Sequence, residues 1–293
     1  MSEAAERELP PLVDPTSTTG LAEVFRRRYL LKLLVRREIQ ARYQGSMLGM
    51  VWSYINPLSQ FLIYWLVMGK IMGMEDRAPA YAIHVFTGLV IVHFFSETFN
   101  SGTRSIVRNR KVVQKMAVPR EMFPVSAMLV SAFHVLPQLV ILLFASLAYG
   151  WRPDVVGMGG AALSLAIAMT LGTALALMFS VLNVYLRDVS NAVNILTNFV
   201  RFGVPMIYPY TLVSEKFGAA AQYYLWNPLA QSVLLLQRGF WTGATPNPAQ
   251  TEAHHLPHHL FTYGFAGLGG SVLLLLLAQW VFSKFETKIP ERL

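Results

Sequence analysis

Cysteine is missing from all 293 residues, which excludes disulfides and any thiolate metal site. Charge is scarce: 14% of residues are Asp, Glu, Lys or Arg against 54% hydrophobic, with a mean hydropathy of +0.43. The signatures of several enzyme classes are absent as well. No GxxxxGK[ST] phosphate loop, nucleophile elbow, HExxH helix or Rossmann glycine pattern occurs, so the chain is expected neither to hydrolyse nucleotide nor to hold a resident cofactor. Residues 1–20 lack the apolar stretch of a cleavable signal. Acidic and Pro-rich, they read as a mobile cytoplasmic leader, with residues 21–293 as one membrane domain.

What is present in quantity is apolar sequence in long runs. Six of them can cross a hydrocarbon core of roughly 30 Å as helices: about 48–74, 81–99, 123–149, 155–182, 192–208 and 261–282. The expected fold class is therefore all-α and polytopic. Pro57, Pro137 and Pro205 fall inside these runs and are compatible with kinked membrane helices.

The cations orient the spans. With the N-terminus inside, seventeen Lys or Arg residues beyond the leader lie on the inner side and five on the outer: Lys70, Arg77, Arg152, Lys216 and Arg238. That asymmetry predicts a multi-pass protein with both termini cytoplasmic. Topology and anionic headgroups account for the net charge of +8, leaving no argument for nucleic-acid binding.

Two connections are more than loops. LAEVFRRRYLLKLLVRREIQAR, residues 21–42, mixes an apolar face with arginines and reads as a helix lying in the membrane interface. The segment 209–241 holds two apolar pieces too short to cross, broken at Asn227 and Pro228, which predicts short helices that dip back into the outer leaflet.

Ionisable residues within the spans are few. His84, His93 and Glu97 share the second, with His93 and Glu97 at i,i+4 on one helix face. A proton relay or metal site fits that spacing, but hydrogen bonding inside a helix bundle is the expected role. HHLPHH at 254–259 is a weak metal candidate, accompanied only by Glu252, and no metal is assigned. Aromatic residues crowd the first two spans, where interface anchoring and packing explain any single one.

Five stretches in order carry a resemblance: QARYQGSMLGMVWSYINPL (40–58), VVQKMAVPREMFPVSAML (112–129), LNVYLRDV (182–189), PMIYPYTLV (205–213) and WNPLAQSV (226–233). Together they resemble the membrane subunit of polysaccharide-exporting ABC transporters, the group of O-antigen, capsule, teichoic-acid and galactan exporters. The resemblance implies a six-helix permease of the bacterial inner membrane that pairs as a homodimer. It also implies two copies of a soluble subunit carrying ATP and Mg, and an undecaprenyl-pyrophosphate-linked glycan as cargo.

By the same resemblance, Arg26, Arg27, Arg28, Arg36, Arg37 and Arg42 would meet the lipid pyrophosphate, although holding the helix on anionic headgroups explains them equally. Trp52, Tyr54, Tyr64, Phe94, Phe95 and Phe99 would line the glycan channel. Tyr208, Tyr210, Trp226, Asn227 and Pro228 would belong to a periplasmic gate. The loop 103–121 would seat the ATPase through a coupling helix, with an apolar ridge of Ile106, Val112, Val113 and Met116 among Arg108, Asn109, Lys111 and Lys115.

Three rivals remain beside this reading. A small-lipid or drug ABC permease would share the architecture. A proton-coupled carrier would show inverted repeats, and none is evident. A membrane glycosyltransferase would want acidic metal ligands on the cytoplasmic side, where Asp188 stands almost alone. Which sugar is exported is not legible.

Overall fold

The computed structural model describes residues 20–45, 48–116, 118–286 and 289–293, without the side chains of Met50, Pro290 and Glu291. The expected leader, apart from Gly20, lies outside the described residues. All regular structure among them is helical.

Among the described residues four helices are long and apolar enough to cross a membrane: α4 (Tyr81–Arg108), α6 (Met122–Ala148), α7 (Val155–Tyr185) and α13 (Leu260–Phe285). Preceding them are α1 (Leu21–Arg26), α2 (Arg28–Tyr43) and α3 (Trp52–Tyr64). Between them lie α5 (Arg110–Lys115), α8 (Val189–Phe202), α9 (Tyr210–Phe217), α10 (Ala221–Tyr224), α11 (Pro228–Phe240) and α12 (Pro248–His255), and α14 (Ile289–Arg292) follows.

The remaining expected spans are realised differently. Residues 49–71 form an unbroken succession of a 3-10 turn, the 13-residue α3 and a π-helical stretch, Trp65–Ile71. The fifth run ends early: α8 stops at Phe202, and Pro205 lies in the turn beyond it rather than inside a helix. Proline lacks the N–H that would continue the ladder, which places the stop here. At 14 residues and about 1.5 Å per residue, α8 spans roughly 21 Å.

Helix α7 is the centre of the bundle, packed against α4, α11 and α13, while α4 also packs on α6. Small residues let these backbones approach. A Cβ added at Gly102 of α4 would lie 2.4 Å from the Ala176 Cβ of α7, so glycine is required there. Ser164 of α7 and Ser232 of α11 each donate to the other's carbonyl, at 2.6 and 2.7 Å. Reciprocal bonds of this kind satisfy both hydroxyls without water.

Two apolar clusters divide the bundle lengthwise. The larger joins Phe94 and Phe95 of α4, Ile167 of α7 and Leu234 of α11. The smaller gathers Val24, Leu31 and Leu34 with Ile106, Met122, Phe123, Phe282 and Ile289, so the first and last described helices pack at the same end. At the opposite end Trp241 Nε1 donates to Pro79 O at 2.7 Å, and Arg152 N donates to Gly243 O at 2.9 Å.

Candidate functional site

The site begins with a break in a helix. Asn109 ends α4, and its backbone (φ −98°, ψ 19°) turns the chain into α5. Its amide donates to Glu38 Oε1 at 3.0 Å and to Ser105 O at 3.0 Å, and its Oδ1 accepts from Arg37. Arg108, one residue earlier, pairs with the other oxygen of Glu38. Helix α2 is thereby bolted across the junction of α4 and α5, while its buried face, Leu31 and Leu34, joins the smaller cluster.

About three turns further into the bundle a second set of polar groups meets. Glu97 of α4 accepts from Arg42 of α2 and lies 2.8 Å from His134 Nδ1 of α6. His93, on the same face of α4, shares a 2.9 Å hydrogen bond with Gln138 of α6. The i,i+4 pair legible in the sequence does exist on one face, and each member turns to α6. His84 sits apart, fully buried, stacked on Tyr81 and edge-on to Trp241, with Gln237 Nε2 at 3.1 Å. That environment is a packed polar core, which gives His84 no relay to His93.

These contacts frame two adjoining spaces. One of about 470 Å³ lies between α2, α4 and α6, edged by Arg37, Glu38, Arg42, Arg108 and Asn109. The other, about 160 Å³, is edged by Tyr43, Trp52, Asn56, Glu97 and His134. Arg42 borders both.

Of the arginines expected at an entrance, Arg37 and Arg42 reach this site. Arg26 and Arg27 associate with Glu23 on α1, and Arg28 and Arg36 are exposed. Glu38, Tyr43, Asn56 and His134 complete the site and were not singled out from the sequence. A lone histidine in the otherwise apolar run of α6 is the signal that could have marked His134.

The expected channel aromatics separate. Trp52 is 47% exposed, and Tyr54 and Tyr64 are half-buried. Phe94, Phe95 and Phe99 are at most 4% exposed, packed inside the chain's own core, where Phe99 meets Phe179 edge-on. The single chain therefore presents no surface on which these three could meet a glycan. The reason is the central position of α4, whose apolar span is enclosed on nearly all sides.

The residues expected to form the coupling ridge are divided between two helices. Ile106 belongs to α4 and is fully buried, and Val113 is 5% exposed. The outward face of α5 is Arg110, Lys111, Gln114 and Lys115, flanked by Met116 at 52% exposure and half-buried Val112. The turn at Asn109 rotates α5 relative to α4, which removes the continuous ridge.

At the other end, Tyr208 donates to Phe202 O at 2.7 Å and meets the Tyr224 hydroxyl at 3.3 Å. Tyr210 is buried and Trp226 exposed. Asn227 caps α11 by accepting from Leu229 N at 3.0 Å, with Pro228 at the first helical position. His254 and His255 face each other at 4.9 Å between ring centroids, and burial lowers the His255 pKa. No group of three or more potential metal ligands occurs among the described residues.

An all-helical bundle with four helices able to cross a membrane defines the class: a polytopic membrane protein. The sequence profile of the ABC-2 type transporter family matches residues 29–241, and the chain belongs to that family. It is 29% identical over 218 residues to the O-antigen export system permease protein RfbA of Klebsiella pneumoniae, covering 73% of this chain and 81% of that protein. It is 27% identical over 271 residues to the protein of that name from Myxococcus xanthus, covering 92% and 97%.

Proposed function

We propose that the chain is the permease subunit of an ATP-driven exporter that moves undecaprenyl-linked polysaccharide of the O-antigen type across the bacterial inner membrane. The observation that carries this reading is the arginine-edged space between α2 and α4, at the end of the bundle where both described termini pack. Guanidinium groups match diphosphate oxygens in geometry and charge, and α2 lies where a lipid headgroup can slide in from the interface. The names of the relatives from Klebsiella pneumoniae and Myxococcus xanthus point the same way.

On this reading residues 49–71, and α8 together with the chain that follows it to about residue 208, complete six crossings, and two copies of the chain enclose the path. α9, α10 and α11 form the periplasmic gate. ATP and Mg bind two copies of a soluble partner that docks on α5. The chain breaks no bond; it opens alternately to each side as the partners bind and hydrolyse ATP.

Reconstitution tests it. Proteoliposomes holding the chain and its ATPase should move a fluorescent lipid-linked oligosaccharide between leaflets only with ATP, and should leave a lipid without a glycan behind. Equal movement of both lipids would favour the small-lipid permease.

A further inference from the structure

The smaller of the two spaces is lined by Glu97 and His134 together with the exposed Trp52 and Asn56. Glu97 Oε2 and His134 Nε2 are buried without a hydrogen-bond partner among the described residues, although Glu97 is only 8% exposed and His134 2%. His134 Nδ1 lies 2.8 Å from Glu97 Oε1 and 3.2 Å from Arg42 Nη1. Glu97 thus puts a carboxylate in the wall of the smaller space, an acceptor for O–H and N–H donors. An anion is the wrong visitor, because it would face a carboxylate.

What fits is a neutral group rich in O–H. The indole of Trp52 offers an apolar face to it and the Asn56 amide offers both a donor and an acceptor. This is the chemistry of a sugar ring, and about 160 Å³ admits one ring rather than a chain. Next door, Arg37, Arg42 and Arg108 each hold a protein partner yet keep further N–H donors, since a guanidinium carries five. Their space suits a diphosphate.

We infer that the two spaces form one bipartite headgroup site, with the diphosphate of the lipid carrier in the larger and the first sugar of the glycan in the smaller. Arg42 stands at the joint, where sugar and phosphate are bonded to each other. The inference rests on the reading of the chain as a permease for lipid-linked glycan, and it adds that selection acts on the first sugar. The distal chain is not read here.

The full permease and ATPase complex in nanodiscs tests this by native mass spectrometry with two probes. One is undecaprenyl diphosphate, the other undecaprenyl diphosphate carrying a single N-acetylhexosamine. The wild type should favour the sugar-bearing probe by about tenfold. Trp52→Ala and Asn56→Ala should abolish that preference and leave the affinity for undecaprenyl diphosphate unchanged, whereas Arg42→Ala should weaken both. Both positions are exposed, so loss of folding does not confuse the result. Equal binding of the two probes by the wild type, or an intact preference in both variants, overturns the sugar subsite. Failure of the wild type to bind either probe better than undecaprenol overturns the export reading itself.

Discussion

Glu97 joins three segments that the sequence separates widely: Arg42 of α2, His134 of α6 and its own α4. Replacing it with alanine leaves a buried imidazole and a half-exposed guanidinium without their acceptor, at a cost on the order of 1–3 kcal/mol. Thermal melting in detergent should show that loss, and Glu97→Gln, which keeps an acceptor oxygen, should recover part of it. A melting point unchanged in Glu97→Ala would mean that the three groups do not hold the segments together. The i,i+4 relation of His93 and Glu97 was legible because both lie on one helix. Arg42 and His134 were not, because only tertiary packing brings them there. Asp154 makes a separate, pH-dependent contribution. Burial raises its pKa, but hydrogen bonds of 3.0 and 3.1 Å from Arg238 outweigh this and hold it below the usual carboxylate range. A depressed carboxylate stabilises above its unfolded pKa and loses that contribution as pH falls through the folded one. The melting difference between wild type and Asp154→Asn should therefore be constant from pH 7 to about pH 5 and shrink below about pH 4.

Between α4 and α6, the resemblance implied a coupling helix within the loop 103–121, and Asn109 divides the helical segment there. Apolar residues among cations suggest a ridge only if the helix is continuous. The asparagine, tied to Glu38 and Arg37 of α2, sets a turn whose direction no local pattern encodes. The consequence separates folding from docking. Ile106→Ala should destabilise the chain by about 2–5 kcal/mol, because it empties a fully buried position. Lys111→Glu with Lys115→Glu, on the outward face of α5, should leave melting within about 0.5 kcal/mol and lower ATPase stimulation severalfold. If the double charge reversal leaves stimulation intact, α5 is not the ATPase seat. The long apolar helices were the most legible elements, since length and hydropathy alone define them: α7 begins at the expected Val155. The inward placement of Phe94, Phe95 and Phe99 was not legible, because aromatic residues suit a core, a lipid face and a sugar path alike.

The whole molecule has two distinct ends, and its packing says which residues share one. Val24 of α1, Leu34 of α2, Ile106 of α4, Phe123 of α6 and Ile289 of α14 meet in one cluster. Pro79, Arg152, Trp241 and Gly243 are hydrogen-bonded at the other end. Helices α4, α6, α7 and α13 run between the two, so α5 and α12 must face opposite aqueous compartments if the bundle crosses a membrane. The asymmetry of Lys and Arg then predicts that α5, with its exposed Arg110, Lys111 and Lys115, faces the cytoplasm. Because the chain has no cysteine, each side can be read with a single introduced thiol and no background. Gln114→Cys on α5 and Ala253→Cys on α12 place thiols at exposed positions of the two ends. In intact spheroplasts a membrane-impermeant maleimide should label the α12 thiol and spare the α5 thiol, and permeabilisation should make both reactive. Labelling of the α5 thiol from outside would invert the orientation, move the arginine-edged space to the wrong face for a cytoplasmic ATPase, and remove the basis for export driven from that end.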